Sequence, residues 1–129
     1  MESVSDNIEL AMPFKAEYVS VARLVASGIG NRIGFDIEVI EDIKVAISEV
    51  CSKIVSIGSK ETDSYKIVYS ISEDSLKVTY LCDDPSIKCV FRNEGDGLAI
   101  HIIHALMDEV ELCTDEYILS MSKALERDV

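Results

Sequence analysis

Glu49 and Lys53 stand four residues apart in a run whose apolar positions recur at helical spacing, so both project from one side of a helix. With Asp42 and Ser56 they form a polar stripe that can border a cleft. A carboxylate and an ammonium one turn apart can converge on one small group. They can also simply pair with each other, an interaction worth about 0.3–0.5 kcal/mol on a helix surface. Farther along, Glu94-Gly95-Asp96-Gly97-Leu98 reads as a flexible turn leading into another helix. The start of that helix offers free N–H groups and the positive end of a dipole to an anion, while Asp96 brings negative charge to the same place. His101 and His104 are three residues apart on it, but no third ligand completes a metal site, and none is assigned. Gly28-Ile29-Gly30 closes a helix instead of opening one after a strand, which removes the dinucleotide-binding reading.

The elements that must carry these residues follow from periodicity and punctuation. Residues 8–14 alternate until Pro13, as an edge strand does whose ladder ends there. Tyr18, Val21, Ala22, Val25 and Ile29 then mark the apolar stripe of a first helix, with Arg23 outside it. Asp36 is placed to cap a second helix, and Phe35 to staple onto Ile40. Ile40, Ile43, Ile47, Val50, Cys51, Ile54 and Ile57 give that helix its inner face, and Gly58-Ser59 ends it. Tyr65–Ile71 and Leu76–Tyr80 alternate around the turn Ser72–Ser75 and predict a hairpin. Cys82 to Asn93 reads as an irregular loop. Leu98, Ile102 and Leu106, flanked by Ile103 and Met107, predict a third helix, and Val110 to Ala124 a second hairpin turning at Asp115-Glu116. The order predicts one α+β domain over residues 1–129. It is a two-layer sandwich with a mostly antiparallel or mixed sheet of about five strands, covered on one face by three helices.

Composition narrows the function classes. A chain of 129 residues that is 48% hydrophobic can bury one sizeable core. The net charge of −12 argues against direct nucleic-acid binding, which relies on clustered lysine and arginine. No apolar run approaches the roughly 20 residues that cross a bilayer, and the acidic balance disfavours an anionic membrane surface. Cys51, Cys82, Cys89 and Cys113 show no C-x-x-C spacing, so they are expected to be free thiols in a reducing cytoplasm.

Three strings carry a resemblance that spans almost the whole chain in order. They are Glu17-Tyr18-Val19-Ser20-Val21-Ala22-Arg23-Leu24, Ile43-Lys44-Val45-Ala46-Ile47-Ser48-Glu49-Val50-Cys51 and Ala105-Leu106-Met107-Asp108-Glu109-Val110. With the order of elements, they resemble the bacterial anti-sigma-factor serine kinases of the GHKL ATPase fold. That resemblance implies a glutamate, here Glu49, as general base toward a protein serine. It also implies an asparagine four residues later as Mg²⁺ ligand, and here that position is Lys53. Lysine has no acceptor atom and cannot take over metal ligation. The ammonium can instead contact nucleotide phosphates or pair with Glu49.

The family's first glycine box opens with an aspartate that receives the adenine amino group. Cys82 falls at that place without a gap, and Asp83 with a shift of one, which makes Asp83 the chemically suitable substitute. Asp84-Pro85 stands where the glycines would be. The segment between Pro85 and Asn93 is shorter than the family's lid. Gly95, Gly97 and Leu98 correspond to the phosphate-binding turn, with Ala99 in place of a further glycine. Arg23 corresponds to an arginine on the surface that engages the sigma factor and, competitively, an anti-anti-sigma protein of the STAS type.

The expectation is therefore an anti-sigma-factor-like regulator that binds these proteins as a homodimer in the cytoplasm. Its ATP or ADP binding would be weakened or lost, and Mg²⁺ would have no ligand set. The alternative is an active ATP-dependent serine kinase.

Overall fold

The structure is a computed structural model, and it describes residues 6–91 and 97–126. Five strands form one sheet: β1 (Asp6–Pro13), β2 (Ser64–Ile71), β3 (Ser75–Leu81), β4 (Glu109–Leu112) and β5 (Leu119–Ala124). Their order is β1-β2-β3-β5-β4, and every pair is antiparallel. Three α-helices, α1 (Val19–Ile33), α2 (Ile37–Ile57) and α3 (Leu98–Leu106), complete the α+β arrangement that the sequence predicts.

Alternation decides which sheet face meets the helices. Tyr65, Ile67 and Tyr69 on β2, Leu76, Val78 and Tyr80 on β3, and Leu119 and Met121 on β5 are buried, while Lys66 and Lys77 between them are exposed. Across that outer face Lys66 reaches Glu9 at 3.5 Å, and Thr79 meets Ser120 at 3.3 Å. β1 lies at the sheet edge and ends at Pro13, as its sequence predicts.

The helices begin and stop where their local chemistry dictates. The Asp36 carboxylate accepts a hydrogen bond from the Val39 backbone N–H at 2.9 Å, the expected cap of α2. Phe35 and Ile40 are both buried and both lie over Gly30 on α1. A Cβ at position 30 would come within 2.9 Å of Ile40 Cγ1, so only glycine permits this approach of α1 to α2.

Two inner faces differ from the sequence reading. On α1 the buried positions are Val19, Ala22, Ala26, Ile29 and Gly30, whereas Tyr18 and Val21 are each 40% exposed. The predicted stripe is thus rotated, because the seam facing the rest of the molecule is built from small residues at 22, 26 and 30. On α2 the predicted positions are buried except Ile57, which is exposed beside the Gly58 cap. The loop after β3 is also more ordered than its sequence suggests. Pro85–Ile87 makes a 3-10 turn capped by Asp84, and Ile87 and Phe91 enter the core.

The cysteines divide into two kinds. Cys51 is a free thiol buried in the core, and Cys82 is free and half-buried. Cys89 and Cys113, expected to be free, are joined as a disulfide with Cα atoms 4.9 Å apart. Their pairing is tertiary, between the turn that follows residue 87 and the end of β4, so no sequence spacing announces it.

Candidate functional site

α2 carries the first half of the site. Its inner face holds Ile43, Ile47, Val50, Cys51 and Ile54 against the sheet, and that anchoring leaves Glu49 and Lys53 half-buried on its polar side. They share that side at the i,i+4 spacing. Cys51 lies beside the hydroxyls of Tyr65 and Tyr80, and burial pushes its thiol pKa up. Burial likewise raises the phenols of Tyr65 and Tyr80. Tyr69 is satisfied, donating to the Ala22 carbonyl at 2.8 Å. The hydroxyls of Tyr65 and Tyr80 have no hydrogen-bond partner among the described residues. Cys51 is therefore a core residue.

α3 packs against α2 and carries the second half. Gly97 precedes it with φ +63°, a left-handed conformation that favours glycine. Its carbonyl accepts from His101 N–H at 2.9 Å, and the His101 ring lies against the glycine. No side chain caps the first turn of α3 among the described residues. Leu98 is 64% exposed, so the inward anchors of this helix are Ile103 and Met107 instead. Gly95 and Asp96 lie outside the described residues. His101 and His104 are exposed, and no group of three or more metal-ligating side chains occurs among the described residues.

The loop after β3 separates the two aspartates that the sequence leaves side by side. Asp83 is exposed. Asp84 is buried, accepting from Ser59 Oγ at 2.6 Å and from the Ser86 backbone N–H at 2.9 Å. The Ser59 hydrogen bond, and after it that of Ser86, holds the Asp84 carboxyl below the usual carboxylate range. Ser59 in turn accepts from the backbone N–H groups of Glu61 and Thr62, so one serine ties the end of α2 to this loop. Sequence reasoning passed over Asp84. Its signal was present in Asp84-Pro85-Ser86, an aspartate cap followed by proline at the first position of a helical turn.

Asp83 lines two shallow surface depressions, one with Ala11, Tyr65 and Leu81 and one with Lys88, Asp115 and Tyr117. Neither is walled by Glu49 or Lys53. Arg23 is exposed on α1, and its guanidinium reaches Ser48 Oγ on α2 at 3.4 Å, one residue from Glu49. Val21, Leu24 and Val45 are exposed apolar residues on the same two helices.

Residues 12–123 match the histidine kinase-like ATPase domain. The chain belongs to this family. It is 33% identical to the serine-protein kinase RsbW of Bacillus cereus (strain Q1), an alignment covering 95% of this chain and 88% of that protein. It is 34% identical to the serine-protein kinase RsbW of Halalkalibacterium halodurans, over 95% of this chain and 86% of its relative. The same name and an identity of 33% apply to the relative from Bacillus thuringiensis subsp. konkukian. The five-stranded antiparallel sheet and three helices of the chain are consistent with a histidine kinase-like ATPase domain. Among the described residues no helix is long and apolar enough to cross a membrane.

Proposed function

We propose that this protein is an anti-sigma-factor-like regulator that acts by binding a sigma factor, an anti-anti-sigma protein of the STAS type, or both, with ATP chemistry weakened or lost. Lys53 carries the reading. At the place where the family's resemblance calls for an oxygen ligand, α2 presents an ammonium with three donors and no acceptor, so Mg²⁺ has nothing to bind there. Phosphoryl transfer needs a metal, positioned phosphates and an in-line base. Docking needs only a complementary surface. The exposed Arg23 between exposed Val21 and Leu24 supplies such a surface on α1.

The nucleotide-contacting set is proposed as Lys53, Asp83, Gly95, Gly97 and Leu98, with ATP or ADP as the ligand class. A homodimer in the cytoplasm is the proposed state. The second reading, an ATP-dependent serine kinase acting on an anti-anti-sigma protein, is favoured by Glu49 on α2, the residue to which the resemblance gives the role of general base, and by the names of the relatives.

Isothermal titration with Mg·ATP separates the two. The docking reading expects no binding in the submillimolar range for the wild type. Lys53→Asn, which restores an oxygen ligand, should tighten binding by about tenfold or more. Submillimolar binding by the wild type, followed by phosphate transfer from labelled ATP to a cognate partner that Glu49→Ala abolishes, would establish the kinase. On the docking side, Arg23→Glu should abolish capture of a sigma factor without lowering the melting temperature.

A further inference from the structure

The geometry points to Cys89 and Cys113 as a reversible covalent modification site, a thiol pair that a low-molecular-weight disulfide oxidises to clamp the loop after β3 onto the β4–β5 hairpin. The two Cα atoms are 4.9 Å apart, inside the range of about 4.4–6.8 Å that a disulfide spans. Both residues are half-buried, so exchange partners can reach them. The hairpin holds its half of the site in place. Cys113 adopts φ +55°, and its N–H donates to the Ile118 carbonyl at 2.9 Å. Thr114 Oγ1 accepts from the N–H groups of Glu116 and Tyr117 and closes the turn.

An independent contact joins the same two segments. Lys88, the residue before Cys89, donates through Nζ to the Asp115 carbonyl at 2.6 Å. That hydrogen bond keeps the segments in register when the thiols are reduced, so the sulfur atoms start close together. The two free thiols are less suited: Cys51 is sealed in the core, and Cys82 hydrogen-bonds the Ser64 carbonyl at 3.8 Å on a different strand.

The chemistry balances with glutathione disulfide as oxidant. One thiolate of the pair attacks a sulfur of glutathione disulfide, and a glutathione thiolate leaves. The second cysteine thiolate displaces the remaining glutathione from the mixed disulfide. Two protein thiols and one glutathione disulfide become one protein disulfide and two glutathione thiols, with the two protons carried by the released thiols. Reduction runs the same steps backward. The clamp matters because it fixes residues 85–91, which carry the core contacts of Ile87 and Phe91 and the Asp84 cap, to a hairpin 24 residues away in sequence.

The test uses the full chain equilibrated in glutathione buffers from fully reducing to oxidising. Alkylation and peptide mass mapping should find one Cys89–Cys113 link that grows with oxidation, with Cys51 and Cys82 still alkylatable after unfolding. Amide hydrogen exchange over residues 85–91 should be about tenfold or more faster in the reduced wild type than in the oxidised one. In Cys113→Ser the exchange should match the reduced wild type in every buffer. Because reduced and oxidised wild type are compared directly, the test does not depend on the variant folding. No link at any buffer ratio, a link through Cys82 instead, or equal exchange in both wild-type states would overturn the proposal.

Discussion

Asp84 shows how much a single side chain can decide. Its carboxylate is buried yet charged, held by the Ser59 hydroxyl and the Ser86 N–H, and its pKa is lowered in the folded protein. A depressed pKa means that the unfolded chain binds the proton more readily. The stabilisation is therefore fully present above the unfolded value of about 3.9 and is lost as pH falls through the folded value. Thermal melts of the wild type and Asp84→Asn should differ at pH 7 and converge as the pH is lowered below about 4. A gap that stays constant down to pH 3 would show that the charge contributes nothing. The cap at Asp36 was legible in sequence because the bond runs only three residues, to Val39. The tether at Asp84 was less legible, because its Ser59 partner lies 25 residues away in sequence. The Cys89–Cys113 contact had no local signature at all, since two separate loops create it.

At the scale of elements, the interface of α1 with α2 is set by what is missing from it. Ala22, Ala26 and Gly30 recur every fourth residue and are buried, so the helix lies close to its neighbours along that line. Gly30→Ala places a methyl group 2.9 Å from the branched Ile40 side chain and should destabilise the protein by about 1–3 kcal/mol. Gly28 lies on the exposed side of the same helix with nothing within 4 Å of an added Cβ. Gly28→Ala should therefore stabilise by up to about 1 kcal/mol through helix propensity alone. Urea unfolding of both variants checks the pair, and equal effects would remove the close-approach argument. Periodicity identified the helix but rotated its inner face, because α1 is apolar on several sides and alanine carries little weight in a hydrophobic count. The large residues Tyr18, Val21 and Leu24 are left outside for this reason, beside Arg23.

Across the whole molecule, the order of elements and the sheet were readable because each strand alternates and each helix has its own start or stop signal. The arrangement of the site was not. Whether Asp83 meets Glu49 and Lys53 depends on how the loop after β3 is tethered, and that tether consists of Asp84 reaching Ser59 beyond α2 and of Lys88 and Cys89 reaching the β4–β5 hairpin. The core leaves a different mark. Tyr65 and Tyr80 are almost wholly buried, and among the described residues neither hydroxyl has a hydrogen-bond partner beyond the weak thiol of Cys51 beside them. Phenylalanine at either position would keep the ring and shed the penalty of a poorly paired hydroxyl, so Tyr65→Phe or Tyr80→Phe should melt at the same temperature as the parent or higher, which calorimetry can check. The interior of this protein thus holds unused thermal headroom, and an engineer seeking a hardier version can begin there without touching the exposed sides of α1 and α2.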